Sequence, residues 1–403
     1  MKSIVLLGDG MSDEPLVELD GKTVLQYAKT PNMDYIASHG ECGLAFTVPK
    51  GFHPGSDVAN LSVFGYDPAS CYTGRAPIEA ASMGVHLNPE DIAFRLNLVT
   101  LIANYGKIYM DDFSAGHITT AEAKEIIATL QTELGGDDFH FYPGVSYRHL
   151  MVWRGGRDKL TFTPPHDISG QPIDDHLPKG DGAEILIDLM TSSQMLLNNH
   201  PINNRREKER KLPANSIWLW GHGRKPEMPT MQEKFGINSG SVISAVDLIK
   251  GIGIYAGLDV IEVPGATGYI DTNYSGKATA ALETLKHQDF VYLHVEAPDE
   301  AAHSGSLEDK LTAVESFDRE VVGPVLAGLK QFDAWRLLVL PDHPTPVALR
   351  THTDAPVPYA LLGSQGEFVG GRRASTYSES EAAKTGIVFE KAHLLMAKLL
   401  KTE

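Results

Sequence analysis

The 403-residue chain has little cysteine, few basic residues and no long apolar run. Its two cysteines, Cys42 and Cys71, are too few for a disulfide framework in a chain of this length, which indicates a reducing compartment. Its apolar runs stay well below the roughly 20 residues of a membrane-spanning helix. The first, in MKSIVLLGDG, is also too short for the core of a signal peptide. These absences predict a cytoplasmic protein that does not enter a membrane.

Basic residues are outnumbered by acidic ones. Lys and Arg total 35 against 52 Asp and Glu, so the formal net charge is −17 at pH 7. A surface this acidic repels a phosphate backbone, which argues against general nucleic-acid binding. An anionic substrate would therefore need a local cationic pocket or bound metal cations.

Sequence signatures for nucleotide phosphates are also missing. Gly8 and Gly10 follow the first apolar run as in a dinucleotide fingerprint, but Asp13 occupies the position of the third glycine. No GxxxxGK[ST] segment exists. Binding of a nucleotide through a known phosphate loop is weakly supported, and the length alone corresponds to two or three domains.

Short apolar runs alternate with polar loops and helical stretches along much of the chain. The runs are Ser3–Leu7, Ser241–Ile243, Phe290–Val295 and Leu337–Leu340. Alternating strands and helices predict an α/β core with a central, mostly parallel sheet. The stretch 77–175 instead contains several short strands and one clear helix, Thr120–Leu134, which predicts a smaller inserted α+β cap domain. We therefore assign 1–76 and 176–403 to the core, in which the charge run 203–211 is typical of a solvated loop.

Carboxylates and imidazoles follow the predicted strands. The candidates are Asp9, Asp299, His303, Asp342, His343 and His352. Because the carboxyl ends of parallel strands share one edge of the sheet, we expect these side chains to gather there. Any one of them could be an ordinary capping Asp or core His, but the whole set is better explained by metal binding. Oxygen and imidazole ligands without thiolate suit Mn²⁺ or Zn²⁺, with Mg²⁺ as a further choice.

The segment GFHPGSDVANLSVFGYDP, at 51–68, places Ser56 where a helix begins after the turn at Pro54 and Gly55. One interpretation is an N-cap, a position that serine favours. The other is a nucleophile, since a hydroxyl at a helix N-terminus faces free amide hydrogens and the positive end of the helix dipole. Spacing alone leaves both interpretations open.

Together these segments resemble the cofactor-independent phosphoglycerate mutases of the archaeal type, within the alkaline phosphatase superfamily of metalloenzymes. The similarity covers nearly the whole chain, in motifs that include GDGMSDEP, GFHPGSDVANLSVFGYDP, YTGRAPIEAASMGV, HVEAPDEAAH, PDHPTP and HTDAPVP. It implies an alkaline-phosphatase-like core with an inserted substrate-binding cap. It also implies interconversion of 3-phosphoglycerate and 2-phosphoglycerate, a small phosphorylated metabolite, through a phosphoserine at Ser56.

The resemblance assigns roles to individual residues and implies two divalent cations, with Mn²⁺ favoured. One cation would be held by Asp9, Ser56, Asp342 and His343, and the other by Asp299, His303 and His352. The substrate-binding candidates are Arg75, Asn97, His117, Arg148 and Lys277. His117 or His149 is the candidate general acid or base. For Arg148 and His149 a surface strand is the plain alternative, and Lys277 could simply cover a helix face.

One segment departs from the family pattern. FSAGHITT, at 113–120, has Ser114 and His117 where the archaeal enzymes typically have an arginine-bearing RAGRI-like form. The SAGHI and HVEAPDEAAH forms are similar to a subgroup proposed to phosphorylate homoserine. A homoserine kinase-like phosphotransferase on the same metal and serine core is therefore the alternative function. A simple phosphatase and a non-catalytic binding protein are weaker alternatives, and the oligomeric state is left open.

Overall fold

The computed structural model describes residues 1–366, 368 and 372–401. The chain forms two compact units, residues 1–72 with 227–403 and residues 73–226, which we call the core unit and the inserted unit. The predicted end of the insertion at residue 175 is too early. Helix Ala183–Leu197 and strand Ser216–Gly223 share one apolar core with the strands that precede them, and therefore belong to the inserted unit.

The strands and helices are numbered in chain order. The strands are β1 Lys2–Gly8, β2 Glu41–Ala45, β3 Ile92–Asn104, β4 Lys107–Asp112, β5 Phe139–Val145, β6 Arg148–Trp153, β7 Leu160–Thr161, β8 Lys179–Gly180, β9 Ser216–Gly223, β10 Gly240–Ile243, β11 Asp259–Val260, β12 Phe290–Val295, β13 Trp335–Leu340, β14 Val357–Gly363 and β15 Val388–Phe389. The helices are α1 Val24–Tyr27, α2 Pro31–His39, α3 Ser56–Val63, α4 Pro68–Cys71, α5 Arg75–Ser82, α6 Thr120–Glu133, α7 Ala183–Leu197, α8 Pro201–Lys208, α9 Met231–Phe235, α10 Asp247–Tyr255, α11 Tyr274–Leu285, α12 Ala297–Ser304, α13 Leu307–Ser316, α14 Gly323–Gly328, α15 Glu379–Lys384 and α16 Leu394–Leu400.

The core unit is built on an eight-stranded sheet in the order β11-β10-β12-β1-β13-β14-β2-β15. Strands β10, β12, β1 and β13 pair in parallel, whereas β14 runs antiparallel to both of its neighbours. The central strands are apolar along nearly their whole length because helices cover both faces, as is usual for parallel sheets. The predicted α/β core with a mostly parallel sheet is confirmed.

The inserted unit has an antiparallel sheet in which the long strand β3 pairs with β4, β6 and β9. Helices α6 and α7 contribute to its apolar core. The helix predicted from residue 120 is present, and the Thr119 hydroxyl and Glu122 carboxylate close a capping box at its start. The predicted α+β character of the insertion is thus confirmed.

The charge run at 203–211 is not the solvated loop that its composition predicts. Residues up to Lys208 form helix α8, which lies in the inserted unit, and Arg206 within it is only 2% exposed. No helix within the described residues is both long and apolar enough to cross a membrane.

Candidate active site

The six carboxylates and imidazoles predicted from the strand ends lie together in the core unit. Asp9 follows β1, Asp342 and His343 follow β13, and Asp299 lies in the first turn of α12, after β12. His343 Nε2 is 3.3 Å from Asp342 Oδ2 and 3.6 Å from Asp9 Oδ1. All four of these side chains are at least 97% buried. The parallel sheet therefore delivers a set of hard ligands to one edge, as the order of the strands predicts.

Ser56 is the first residue of α3, and Gly55 rather than Ser56 is the N-cap. The Ser56 hydroxyl instead lies 3.1 Å from His343 Nε2. The extended backbone at Gly55 thus leads into α3 with the serine oxygen beside the candidate metal ligands, and the capping interpretation of Ser56 does not hold.

A second group lies beside the first, on α12 and the loop after β13. His303 Nε2 is 3.2 Å from Asp299 Oδ2, and His352 Nε2 is 3.5 Å from Asp299 Oδ1. The two histidine Nε2 atoms face each other at 2.9 Å. Three ligand atoms therefore converge on one point, with His343 adjacent because its ring centroid is 4.1 Å from that of His352.

Hydrogen bonds on the far side of the rings determine which nitrogens face inward. Thr345 Oγ1 donates to Asp299 Oδ1 at 2.5 Å, so at 3.2 Å it accepts from the Nδ1–H of His343. His303 Nδ1–H donates to the Arg350 carbonyl at 2.9 Å. These hydrogen bonds hold the Nε2 atoms of His343 and His303 toward the carboxylates, the arrangement found in metal-binding histidines.

The electrostatics of this region require positive charge. Burial and the neighbouring Asp342 carboxylate raise the pKa of Asp9 well above its usual range. Asp9 Oδ1 is buried without a hydrogen-bond partner in the described part of the chain. The hydrogen bond to Asp299 raises the pKa of His303 to about 9. Lone pairs and carboxylates held this close are stabilised by a cation, so the residues fit two divalent metal ions.

A third group of titratable side chains adjoins Asp9, and of its members only Lys277 was named from the sequence. His294 Nε2 is 2.8 Å from Asp9 Oδ2 and 3.4 Å from Glu296 Oε2. Lys277, which is fully buried, donates from Nζ to the His294 carbonyl at 3.1 Å. Burial lowers the pKa of Lys277 to about 8, whereas the Glu296 charge opposes that shift. Lys277 thus lies behind the candidate metal ligands and does not cover a helix face. His294 and Glu296 lie in the motif HVEAPDEAAH, but their spacing gave no signal for this group.

In the inserted unit, arginines gather around one carboxylate. Glu79 accepts from Arg75 Nε at 2.8 Å through one oxygen and from Arg95 Nε at 3.0 Å through the other. Burial lowers the pKa of Arg95 to about 10; Glu79 opposes this shift, while Arg75 and Arg148 add to it. The group carries more positive than negative charge in a chain whose net charge is −17. Sequence analysis did not single out Arg95 or Glu79, although Glu79 lies in the motif YTGRAPIEAASMGV, because no spacing relates the two residues.

Asn97 supports this group from within the sheet. Its Oδ1 accepts from Trp220 Nε1 at 3.0 Å, and its Nδ2 donates to the Phe113 carbonyl at 3.0 Å. The guanidinium carbon of Arg95 lies 4.1 Å from the centroid of the Trp220 ring. Asn97 therefore orients the aromatic ring on which Arg95 stacks.

The two histidines predicted as acid–base candidates differ in environment. His149 is 3% exposed, accepts a hydrogen bond from the Gly144 N–H at Nδ1, and has its pKa lowered to about 3 by burial. Its Nε2 must therefore carry the proton and can donate one hydrogen bond. His117 lies exposed in the loop before α6, at a left-handed φ of 51°. Arg148 is also exposed, its guanidinium carbon 5.5 Å from the centroid of the Tyr147 ring.

Known proteins resemble this chain in sequence over its whole length. Residues 37–203 match the family model described as 2,3-bisphosphoglycerate-independent phosphoglycerate mutase. The chain is 62% identical over 400 residues to a probable 2,3-bisphosphoglycerate-independent phosphoglycerate mutase of Geobacter sulfurreducens, covering 99% of this chain and 100% of the relative. It is 54% identical over 406 residues to the enzyme of that name from Methanosarcina acetivorans, with both chains fully covered.

A solved structure shows the same fold. The cofactor-independent phosphoglycerate mutase of Thermoplasma acidophilum superposes with a TM-score of 0.68 at 26% identity, over 100% of this chain and 99% of the other. The two full-length relatives are far above the identity at which family membership is in question. This chain therefore belongs to the family of 2,3-bisphosphoglycerate-independent phosphoglycerate mutases.

Proposed function

We propose that this protein interconverts 3-phosphoglycerate and 2-phosphoglycerate without bisphosphoglycerate, and that Ser56 carries the phosphoryl group between the two hydroxyls. The observation that carries the proposal is the Ser56 hydroxyl 3.1 Å from His343 Nε2, beside a buried set of candidate metal ligands. Family membership supports the same substrates, since the relatives are named for them.

Ser56 is placed to act as a nucleophile. Its hydroxyl gives up a proton and its oxygen forms a bond to phosphorus while the bond from phosphorus to the substrate oxygen breaks, and the released oxygen of glycerate takes up a proton. The other hydroxyl of glycerate, on giving up its proton, then takes the phosphoryl group from Ser56, whose oxygen regains a proton. Splitting the transfer in two lets one serine serve both positions of the sugar acid.

The protein would hold one cation with Asp9, Ser56, Asp342 and His343 and a second with Asp299, His303 and His352. Bound there, the two divalent cations would polarise the phosphoryl group and lower the pKa of the serine hydroxyl. We infer Mn²⁺ from the mixture of carboxylate and imidazole ligands, with Zn²⁺ and Mg²⁺ as the other choices.

The inserted unit would supply the groups that bind the glycerate part. Arg75 and Arg148 suit its carboxylate because a guanidinium binds such a group through two parallel hydrogen bonds. His117 or His149 is the candidate general acid or base, and the lowering of the His149 pKa by burial favours His117. We place the enzyme in the cytoplasm, which agrees with Cys42 and Cys71 being free thiols.

An enolase-coupled assay tests the proposal. Purified protein is given 3-phosphoglycerate and Mn²⁺ without bisphosphoglycerate, beside a sample treated with EDTA. We expect metal-dependent turnover that falls at least about a thousandfold in Ser56→Ala, because no other hydroxyl takes over covalent transfer. Ser62→Ala is the matched control: it lies in the same helix, and its buried hydroxyl has no hydrogen-bond partner among the described residues.

Two outcomes would contradict the proposal. Turnover retained in Ser56→Ala would remove the serine as nucleophile. No turnover by folded, metal-loaded wild-type protein would remove the mutase activity. In the second case phosphorylation of homoserine by a nucleotide is the next reaction to assay.

A further inference from the structure

Asn60 lies in α3, one helical turn after Ser56, at a position where the sequence suggests only a helix interior. It is completely buried. We propose that Asn60 is a positioning residue that ties the nucleophile helix to the metal ligand Asp342. The inference rests on the proposed function, because it concerns the same serine and the same ligands.

The amide of Asn60 contacts three separate elements. Its Nδ2 donates to Asp342 Oδ2 at 2.8 Å and to the carbonyl oxygen of Ser56 at 2.9 Å. Its Oδ1 accepts from the Tyr292 hydroxyl at 2.7 Å. The Tyr292 ring is fully buried in β12 and stacks on Phe64 at a centroid distance of 3.8 Å. One side chain therefore joins α3, the end of β13 and the middle of β12.

The orientation of this amide is determined by its partners. A backbone carbonyl and a carboxylate accept hydrogen bonds only, so the two hydrogens of Nδ2 must face Ser56 and Asp342. The amide oxygen then accepts from the Tyr292 hydroxyl. With every polar atom of Asn60 satisfied away from water, rotating the side chain would break at least two buried hydrogen bonds.

This network controls the direction of the Asp342 carboxylate. Asp342 Oδ1 accepts from the backbone N–H of Gly10 at 3.1 Å and of His343 at 2.9 Å. Oδ2 is the oxygen near His343 Nε2, and Asn60 takes one of its lone pairs. The other lone pair of Oδ2 is left for a metal ion. An uncharged donor performs this task without adding a cation that would compete with the metal.

The test uses the full-length protein with Asn60→Ala, Tyr292→Phe and the control Ser62→Ala. Mn²⁺ binding is measured by calorimetry, and turnover is measured in the enolase-coupled assay. We expect Asn60→Ala to weaken one of two Mn²⁺ sites about ten- to a hundredfold, as for other residues that orient metal ligands, and to leave the second site unchanged. Its kcat should fall in parallel with little change in KM. Tyr292→Phe keeps both Nδ2 contacts, so its effect should be several-fold smaller.

Wild-type affinity at both sites in Asn60→Ala would overturn the inference, as would equal weakening of both. An equally large effect of Tyr292→Phe would also overturn it, because the cause would then be packing of β12. If Asn60→Ala does not fold, NMR measures how fast the side-chain amide protons of Asn60 exchange with solvent in the wild-type protein. Exchange as fast as that of a solvent-exposed amide would overturn the inference. Failure of the wild-type protein to bind two Mn²⁺ or to turn over would instead count against the proposed function.

Discussion

At the scale of single residues, burial determines what His149 can do. Its Nδ1 accepts the Gly144 N–H at 2.9 Å, and its Nε2 has no partner within the described residues. Such a ring stays neutral in the folded protein and takes up a proton once the protein unfolds. The sequence, which shows only a histidine beside an arginine, contains no sign of this state.

His149 should therefore make the stability of the inserted unit depend on pH. Its pKa is about 3 when folded, against an ordinary value near 6.5. Between pH 3 and pH 6.5 the unfolded chain binds a proton at His149 that the folded chain does not bind. The contribution of the neutral ring to the free energy of unfolding is therefore complete above pH 6.5 and is lost as the pH falls toward 3. From pH 6.5 to pH 5 we expect His149 to lower the free energy of unfolding by about 2 kcal/mol.

Urea unfolding, followed by tryptophan fluorescence, measures this effect. Trp153, Trp218 and Trp220 all lie in the inserted unit. The comparison is with His149→Asn, whose side-chain oxygen can still accept the Gly144 N–H. The difference in free energy of unfolding between the wild-type protein and His149→Asn should narrow by about 2 kcal/mol on going from pH 6.5 to pH 5. A gap that is the same at both pH values would show that His149 titrates normally.

At the scale of elements, helix α8 anchors the loop that carries His117. Arg206 donates from Nη1 to Glu122 Oε2 at 2.8 Å and from Nη2 to the Ala115 carbonyl at 2.7 Å. Its Nε donates to the Leu212 carbonyl at 2.8 Å. A buried guanidinium with three partners explains why this charged stretch is a packed helix.

Arg206→Ala should destabilise the inserted unit by roughly 3–5 kcal/mol, because it leaves the buried Glu122 carboxylate and two carbonyls without their donor. Arg205→Ala is the matched control. Arg205 lies 4.0 Å from the same carboxylate with 53% of its side chain exposed, so its loss should cost less than about 1 kcal/mol. Equal effects of the two variants in chemical denaturation would contradict the assignment.

Local pattern predicted several elements well. Helix α6 has both an apolar face and a capping box, so its start at Thr120 follows from neighbouring residues. The prediction of a solvated loop at 203–211 was wrong because composition alone does not distinguish a solvated charge from a buried, paired one. Arg206 pairs with Glu122, which lies 84 positions away in the chain. The same limit explains why Glu79 and Arg95 were missed, since no local pattern around either residue predicts its contact with the other.

At the scale of the whole molecule, the ligand candidates for both cations belong to the core unit. Asp9, Asp299, Asp342 and Glu296 gather negative charge there, and a cation relieves their repulsion. Each Mn²⁺ present at about a hundred times its dissociation constant should add about 2.7 kcal/mol to the stability of the form that binds it.

Hydrogen exchange with and without Mn²⁺ tests where that stabilisation appears. Protection should rise in peptides containing the ends of β1, β12 and β13, and in α12, but not in β3 and β6 of the inserted unit. EDTA should reverse the change. An equal gain in both units, or none, would contradict the location of the metal sites.

The sequence by itself determined the parallel core, the inserted α+β unit and the set of candidate metal ligands. These follow from local information, because hydrophobic period gives strands and helices, and residues just after parallel strands must meet at one edge. Only the tertiary structure decided that Ser56 is not a cap, that His149 is neutral, and that Asn60 reaches Asp342. Those properties depend on burial and on hydrogen bonds between residues far apart in the chain, and no local pattern encodes such distances.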